Sequence, residues 1–338
     1  MSKYLNHVNS IYKLNQTQIN ALEQYKKYVS SKIYNHEKID CKICDSNDFK
    51  IILDNDRYGI DYKLVICNKC GLLYCNPRLD KDSLKKFYEK LYRKLYSGSE
   101  VASKDFFSKQ YKKGELIYQQ LEPYVQNLKE TLVVEIGCGA GGILKYFNDK
   151  GCETKGYDLN EKYIHYGREQ YNLDLNYGSI DSVSLNTKPN VIIYADVLEH
   201  IPDINEELIK IHSVLAEDGI LFIKLPGIKY LHFRYGMDIK KIHQNAHLYT
   251  FSLKTLENIL MKNNFKLILG NERIESLFRK ESLPNNFKDS NIQKDKYIRH
   301  YLFFISLMKS LHIRIDKYRY SYFKIREKFG GIIRRIIT

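Results

Sequence analysis

Four of the seven cysteines in this 338-residue chain form two pairs, Cys41-x-x-Cys44 and Cys67-x-x-Cys70, separated by 22 residues. A C-x-x-C turn presents two thiolates on one side of an ion, and a second turn completes a tetrahedron. Zinc suits that donor set, with an iron–sulfur or redox dithiol pair as the alternative. With all four positions filled by protein, the metal's role is structural. Gly71 directly after the second pair suits a tight knuckle. Cys75, Cys138 and Cys152 read as small packing residues.

The second chemical signal is a glycine-rich turn, Val133-Val134-Glu135-Ile136-Gly137-Cys138-Gly139-Ala140-Gly141-Gly142. Glycines let the backbone approach a ligand closely and open a helix N-terminus toward it. Gly137, Gly139 and Gly142 satisfy G-x-G-x-x-G, a dinucleotide fingerprint that is weak by itself. Asp158 ends the next strand, 21 residues after Gly137, where a carboxylate can accept both ribose hydroxyls of a nucleoside. Glu135 separates the two surviving ligands. A carboxylate just before the turn repels a pyrophosphate at short range. It suits S-adenosylmethionine, which carries an ammonium and a sulfonium and no phosphate.

These residues need elements to hold them. A loose apolar stripe (Ile11, Leu14, Leu22, Tyr25, Val29, Ile33) predicts one amphipathic helix starting near Thr17. Helices are also expected over 80–95 and 105–121. From Thr131 the pattern alternates strand and helix: TLVVEIG, 141–149, 153–158, 160–170, LDLNY, NVIIYAD, 204–216, GILFIKL, 252–263 and FKLILG. That alternation predicts an α/β, doubly wound, mostly parallel sheet. The expected organisation is an N-terminal helix (1–38), a zinc-binding module (39–78), a helical lid or linker (79–128), the α/β domain (129–285) and a basic helical extension (286–338).

Hydrophobic residues make up 43% and charged residues 28%, which excludes collagen-like, mostly disordered and disulfide-scaffold chains. No apolar run approaches the ~20 residues of a membrane span. The opening MSKYLNHVNS lacks a signal-peptide core, so a cytoplasmic location is expected. The net charge of +14 is uneven. Residues 291–338 hold twelve Lys/Arg against three Asp/Glu. A basic, aromatic-rich segment of this kind suits a membrane surface or a partner, against a solvated helical cap as the plainer reading.

The motifs together resemble class I S-adenosylmethionine-dependent methyltransferases over roughly Thr131 to Gly270. VVEIGCGAGG is similar to the family's first motif. YDLN is similar to its second, which implies cofactor contacts from Glu135, Gly137, Gly139, Gly141, Asp158 and Leu159. Gly178-Ser179-Ile180-Asp181 sits where the family contacts adenine, which implies roles for Ser179 and Ile180, although the usual Asp is absent at Ser179. Ala195-Asp196-Val197-Leu198-Glu199-His200-Ile201-Pro202-Asp203 resembles the segment after the fourth strand in ubiquinone O-methyltransferases and their relatives. It places Ala195 at the cofactor. Asp203 reads as the cap of helix 204–216.

The cysteine module ahead of this fold resembles bacterial sugar and secondary-metabolite methyltransferases. There, a zinc domain and an aromatic segment cover the cofactor pocket. Lys94-Leu95-Tyr96-Ser97-Gly98-Ser99 is similar to their Tyr-Ser lid, naming Tyr96, with Tyr92 as alternative. Their sugar C-methylating members carry a Glu-His pair ahead of an aromatic-Phe-Ser sequence. His247 and Phe251-Ser252 match, while Ala246 and Thr250 depart, which weakens C-methylation. A hydroxyl or amine acceptor must lose a proton, and a neutral histidine suits that task. His247 is therefore the expected general base, with His200 and His243 as alternates. The expected substrate is a small molecule or glycan, including nucleotide- or lipid-linked sugars. An RNA methyltransferase and a non-catalytic scaffold are the competing readings. Charge concentrated in the tail, and Ala195-Asp196-Val197-Leu198 in place of Asn/Asp-Pro-Pro-aromatic, argue against nucleic acid.

Overall fold

Two of the three sheets among the described residues take strands from both sides of the glycine turn. The computed structural model describes residues 10–96, 101–231, 235–236, 238–281, 292 and 294–310. Helix α1 (Gln16–Ser30) starts where Asn15 and Gln18 form a capping box. It leads into β1 (His36–Glu37), β2 (Phe49–Asn55), β3 (Asp61–Cys67), β4 (Leu73–Cys75) and β5 (Arg78–Leu79). Strands β2, β3 and β4 form an antiparallel sheet, while β5 pairs back with β1. The chain then runs through α2 (Lys81–Phe87), a π-helical turn (Tyr88–Tyr92), α3 (Arg93–Tyr96) and α4 (Lys104–Leu121). The Ser97-Gly98-Ser99 part of the expected lid lies outside the described residues, as do 311–338 of the basic extension.

The main sheet begins at β6 (Leu132–Ile136), whose five residues are all buried, as expected of a strand covered on both faces. It continues with α5 (Gly142–Asp149), β7 (Glu153–Asp158), α6 (Glu161–Tyr171), β8 (Leu175–Tyr177), β9 (Val191–Ala195), α7 (Ile204–Val214) and β10 (Ile220–Lys224). The last elements are β11 (Tyr249–Thr250), α8 (Leu253–Lys262), β12 (Phe265–Leu269), β13 (Glu275–Lys280) and α9 (Lys296–Ser310). The seven-stranded order is β12-β13-β10-β9-β6-β7-β8. Strands β10, β9, β6, β7 and β8 are parallel, and β13 is antiparallel to both β10 and β12. This is the α/β, doubly wound sheet that the sequence predicts.

Strand β11 leaves this domain and pairs with β4, so the cysteine module's sheet reads β11-β4-β3-β2. The insertion that precedes it is stitched to the same module. Arg57 donates its N–H to the His243 carbonyl (3.0 Å), and Cys75 donates its N–H to the Leu248 carbonyl (2.9 Å). Buried Arg78 adds bonds to Glu37 (2.8 Å), the Pro202 carbonyl (2.8 Å) and the Tyr249 hydroxyl (3.0 Å). Among the described residues no helix is long and apolar enough to cross a membrane.

Candidate active site

The sheet's β6, β7 and β9 carry the site residues at their C-terminal ends, where open parallel sheets bind ligands. Glu135 is 1% exposed on β6. Among the described residues its Oε2 has no hydrogen-bond partner. Burial pushes its pKa well above the ordinary value, opposed by the Lys113 ammonium and reinforced by Asp158. A buried carboxylate of this kind calls for a cation or a strong donor. Gly137 follows with φ of +70°, and a Cβ there would meet Val197 Cγ2 at 2.4 Å, so only glycine fits.

Asp158 spans the turn. Its two oxygens accept the N–H of Gly139 (2.7 Å) and of Asn160 (2.8 Å). It therefore holds the glycine loop to the start of α6, and each oxygen keeps a lone pair for a ligand hydroxyl. Gly139 lies under α4, where a Cβ would sit 3.1 Å from Gln110 Nε2. Gly141 serves packing, since a Cβ there would run into Leu173 and Leu175. Its N–H is already given to the Cys138 carbonyl (2.9 Å). Leu159 is exposed and Ile180 buried, while Ala195 is half-buried. The Ser179 hydroxyl caps the short turn at Ile180–Ser182.

At the end of β9 a second group converges. Glu199 is 1% exposed. Its Oε1 lies 3.8 Å from His200 Nε2 and 3.9 Å from His247 Nε2. The two imidazole rings meet edge to face, with centroids 4.8 Å apart. His200 Nδ1 is 2.8 Å from both the Ala246 carbonyl and the Tyr88 hydroxyl. Burial lowers the pKa of His200 to about 4 and that of His247 well below its ordinary value, the neighbouring His200 ring adding to the latter. Both rings are therefore neutral near neutral pH. The alternate base, His243, is turned away, with Nε2 on the Tyr62 carbonyl (2.7 Å).

Tyrosines from the segment before α4 close over this group. Tyr88 reaches His200, Tyr92 meets its ring edge to face (5.9 Å between centroids), and Tyr96 donates its hydroxyl to Asn245 Oδ1. Of the two lid candidates from the sequence, Tyr92 lies beside His200, whereas Tyr96 contacts the insertion and not the histidine pair. The sequence reading missed Tyr88, although it lies on the same i, i+4, i+8 stripe as Tyr92 and Tyr96. It also missed Lys113, paired with Asp196 at 2.8 Å, and Arg57, whose guanidinium lies over Tyr58 and Tyr96. Those two were unreadable because their neighbours are distant in sequence. Asp203 stands at the N-cap position of α7 but makes no side-chain cap bond; it is drawn instead to Lys42 (3.8 Å) and Lys81 (3.9 Å).

The four cysteines form one cluster. Cys41 and Cys70 sulfurs are 3.4 Å apart, Cys44 and Cys67 sulfurs 3.5 Å, and all four are buried. Thiolates at ~2.3 Å from a tetrahedral ion lie ~3.8 Å from one another, so the cluster matches a zinc site closely.

Residues 109–269 match the family model of a methyltransferase domain. This chain carries a methyltransferase domain. An uncharacterized methyltransferase of Staphylococcus carnosus is 26% identical to it over 138 residues, 40% of this chain and 65% of the relative. The match thus spans about 65% of that curated relative's length. Among solved structures, the 1,6-didemethyltoxoflavin-N1-methyltransferase of Burkholderia thailandensis is 14% identical, with a TM-score of 0.44, covering 69% of this chain and 100% of that one. The magnesium protoporphyrin IX methyltransferase of Synechocystis is 16% identical, with a TM-score of 0.41, covering 59% and 97%. The methyltransferase domain contains Glu135, the glycine turn, Asp158 and the Glu199–His200–His247 group. The cysteine module precedes it.

Proposed function

We propose that the protein is an S-adenosylmethionine-dependent methyltransferase acting on a small molecule or glycan, nucleotide- or lipid-linked sugars included. The carrying observation is Glu135, a buried carboxylate with an unpartnered oxygen beside a glycine turn that Asp158 ties down. Those residues suit the cofactor's ammonium and ribose. When bound, the cofactor supplies an electrophilic methyl on a sulfonium. Glu135 would receive the ammonium, and Asp158 the ribose hydroxyls.

The acceptor end is the Glu199–His200–His247 group. Positioning the acceptor there supplies much of the acceleration. His247 is the residue to take the acceptor's proton, with Glu199 stabilising the imidazolium that results. Its lowered pKa makes it a weak base, because proton transfer is most efficient when the base's pKa lies near the working pH. Tyr88, Tyr92 and Tyr96 shield this end from water. An enclosed aromatic wall suits a small acceptor better than an exposed polymer duplex.

The Cys41, Cys44, Cys67 and Cys70 cluster supports a structural zinc ion. The basic segment 291–338 is proposed to meet an anionic membrane surface from the cytoplasm. Within it, Tyr297 and Phe303 on α9 are 74% and 71% exposed. Pelleting with phosphatidylglycerol vesicles tests this, and equal partition of the full chain and a chain lacking 311–338 counts against it.

Calorimetric titration with S-adenosylhomocysteine, with NAD as control, tests the enzyme reading. Binding of the first alone supports it. Binding of NAD alone would show that the turn cradles a pyrophosphate, and binding of neither would favour a scaffold.

A further inference from the structure

A carboxylate and two imidazole nitrogens converge at the end of β9, and each offers a lone pair. The His200 Nδ1 lies 2.8 Å from the Ala246 carbonyl. The carbonyl can only accept, so in the tautomer that satisfies it Nδ1 carries the ring proton, the Tyr88 hydroxyl beside Nδ1 donates to the same carbonyl (3.5 Å), and Nε2 is an acceptor. That Nε2 is the atom 3.8 Å from Glu199. His247 faces the same carboxylate, with its Nε2 3.9 Å from Glu199 Oε1. Three such groups facing one another suit a cation placed among them.

Metal-binding histidines characteristically give their second nitrogen to a backbone carbonyl or a carboxylate, which fixes the tautomer and aims the ring. His200 is held by the Ala246 carbonyl in this way. One ligand atom from each of Glu199, His200 and His247 lies within 4.8 Å of the others. Ligands ~2.0–2.1 Å from a tetrahedral ion are ~3.4 Å apart, so Glu199 must approach each imidazole by about half an ångström, and no pair in the group by more than about 1.4 Å.

We propose that Glu199, His200 and His247 bind a divalent first-row transition metal ion, separate from the one held by the four cysteines. Two imidazoles and one carboxylate suit zinc, manganese or iron(II), and disfavour magnesium and calcium, which prefer all-oxygen sites. Three protein ligands leave a position open toward the tyrosine lid. An acceptor hydroxyl taking that position would ionise near neutral pH and release its proton to solvent. With the ion bound, His247 is a ligand and not the base. The inference thus deepens the methyltransferase reading in assigning what the ion does, but binding of the ion is independent of it.

The test is metal counting on the full chain, stripped with chelator and reloaded with Zn2+ or Co2+. The expected result is two ions per chain, one for each of the two ligand groups. Glu199→Gln and His247→Ala should each lose one ion and keep the intense thiolate-to-cobalt absorption. Cys41→Ser should lose that absorption. A single ion in the wild-type chain, abolished by Cys41→Ser, overturns the proposal. So does a second ion that survives both Glu199→Gln and His247→Ala. S-adenosylhomocysteine titration of the same samples separates the two ideas. One ion with homocysteine-cofactor binding defeats the metal site alone; two ions without it defeat the methyltransferase reading alone.

Discussion

His200 and His247 pack edge to face with ring centroids 4.8 Å apart, although 46 residues of chain separate them. His200 follows a central strand of the main sheet, whereas His247 comes two residues before β11, which pairs with the cysteine module. The Glu199–His200–His247 group is therefore assembled at the seam between the main sheet and the cysteine module's sheet.

Glu135 provides the most direct check on the cofactor. Glu135→Gln keeps the shape and removes the charge. A hydrogen bond to a charged group contributes about 1.5–3 kcal/mol, so S-adenosylhomocysteine should bind roughly 10- to 100-fold more weakly. Calorimetry measures this, and an unchanged affinity would remove Glu135 from the cofactor site.

Removing a cysteine should unseat the module. Structural zinc contributes on the order of 10 kcal/mol in small zinc domains. If Cys41→Ser forfeits even ~4 kcal/mol of that, the melting temperature should fall by roughly 10 °C. Scanning calorimetry of wild type and variant, with zinc content measured alongside, checks both parts.

Arg78 joins β5 to Pro202 and Tyr249 from a fully buried position. Arg78→Met keeps the aliphatic stem and takes the donor from the Tyr249 hydroxyl oxygen, while the Pro202 carbonyl keeps the Tyr249 hydroxyl as its donor at 2.9 Å. A cost of about 3 kcal/mol is expected, with Glu37 free to turn to water. Denaturant unfolding should show it, while S-adenosylhomocysteine affinity stays within about twofold, because Arg78 does not border the glycine turn.

Acid stability should depend on His243. Burial lowers its pKa from 6.5 to about 4, so between those values the unfolded chain binds the proton and the folded chain does not. Stability on this account is full above pH 6.5 and falls as pH drops toward 4, by up to about 3 kcal/mol. Asp56 works the other way: burial pushes its pKa up to about 6, so it costs stability as pH rises from 4 to 6. His243→Gln removes only the first effect. The gap between wild type and variant should therefore change in the variant's favour on going from pH 7 to pH 4, measured by urea unfolding.

The main sheet was legible because its signals are local. Strong apolar runs such as Val191–Ala195, the glycine turn and the Ser252 cap each declare themselves within a few residues, and the structure has α8 starting at the Ser252 capping box. Strand β13 was missed because Glu275–Lys280 mixes charge with apolar residues and pairs antiparallel at the sheet's far side. Strand β11 was missed for a different reason. Two residues carry no periodicity, and their partner, β4, lies about 170 positions earlier. The histidine pair was seen as two separate candidates. Glu199 as their common neighbour could not be read from spacing, since contact with His247 depends on that unseen strand pairing.

The pairing of β11 with β4 makes the cysteine cluster a splint for the acceptor end. Cys75, the last residue of β4, donates its thiol to the His247 carbonyl at 3.1 Å and its amide to Leu248. Anything that loosens the sulfur cluster, whether chelation or thiol oxidation, would be felt first in the backbone that aims His247. The glycine turn lies on the other sheet and would keep its shape. Mild loss of the sulfur-bound ion would thus leave a protein that still takes up its cofactor yet has lost its grip on the acceptor.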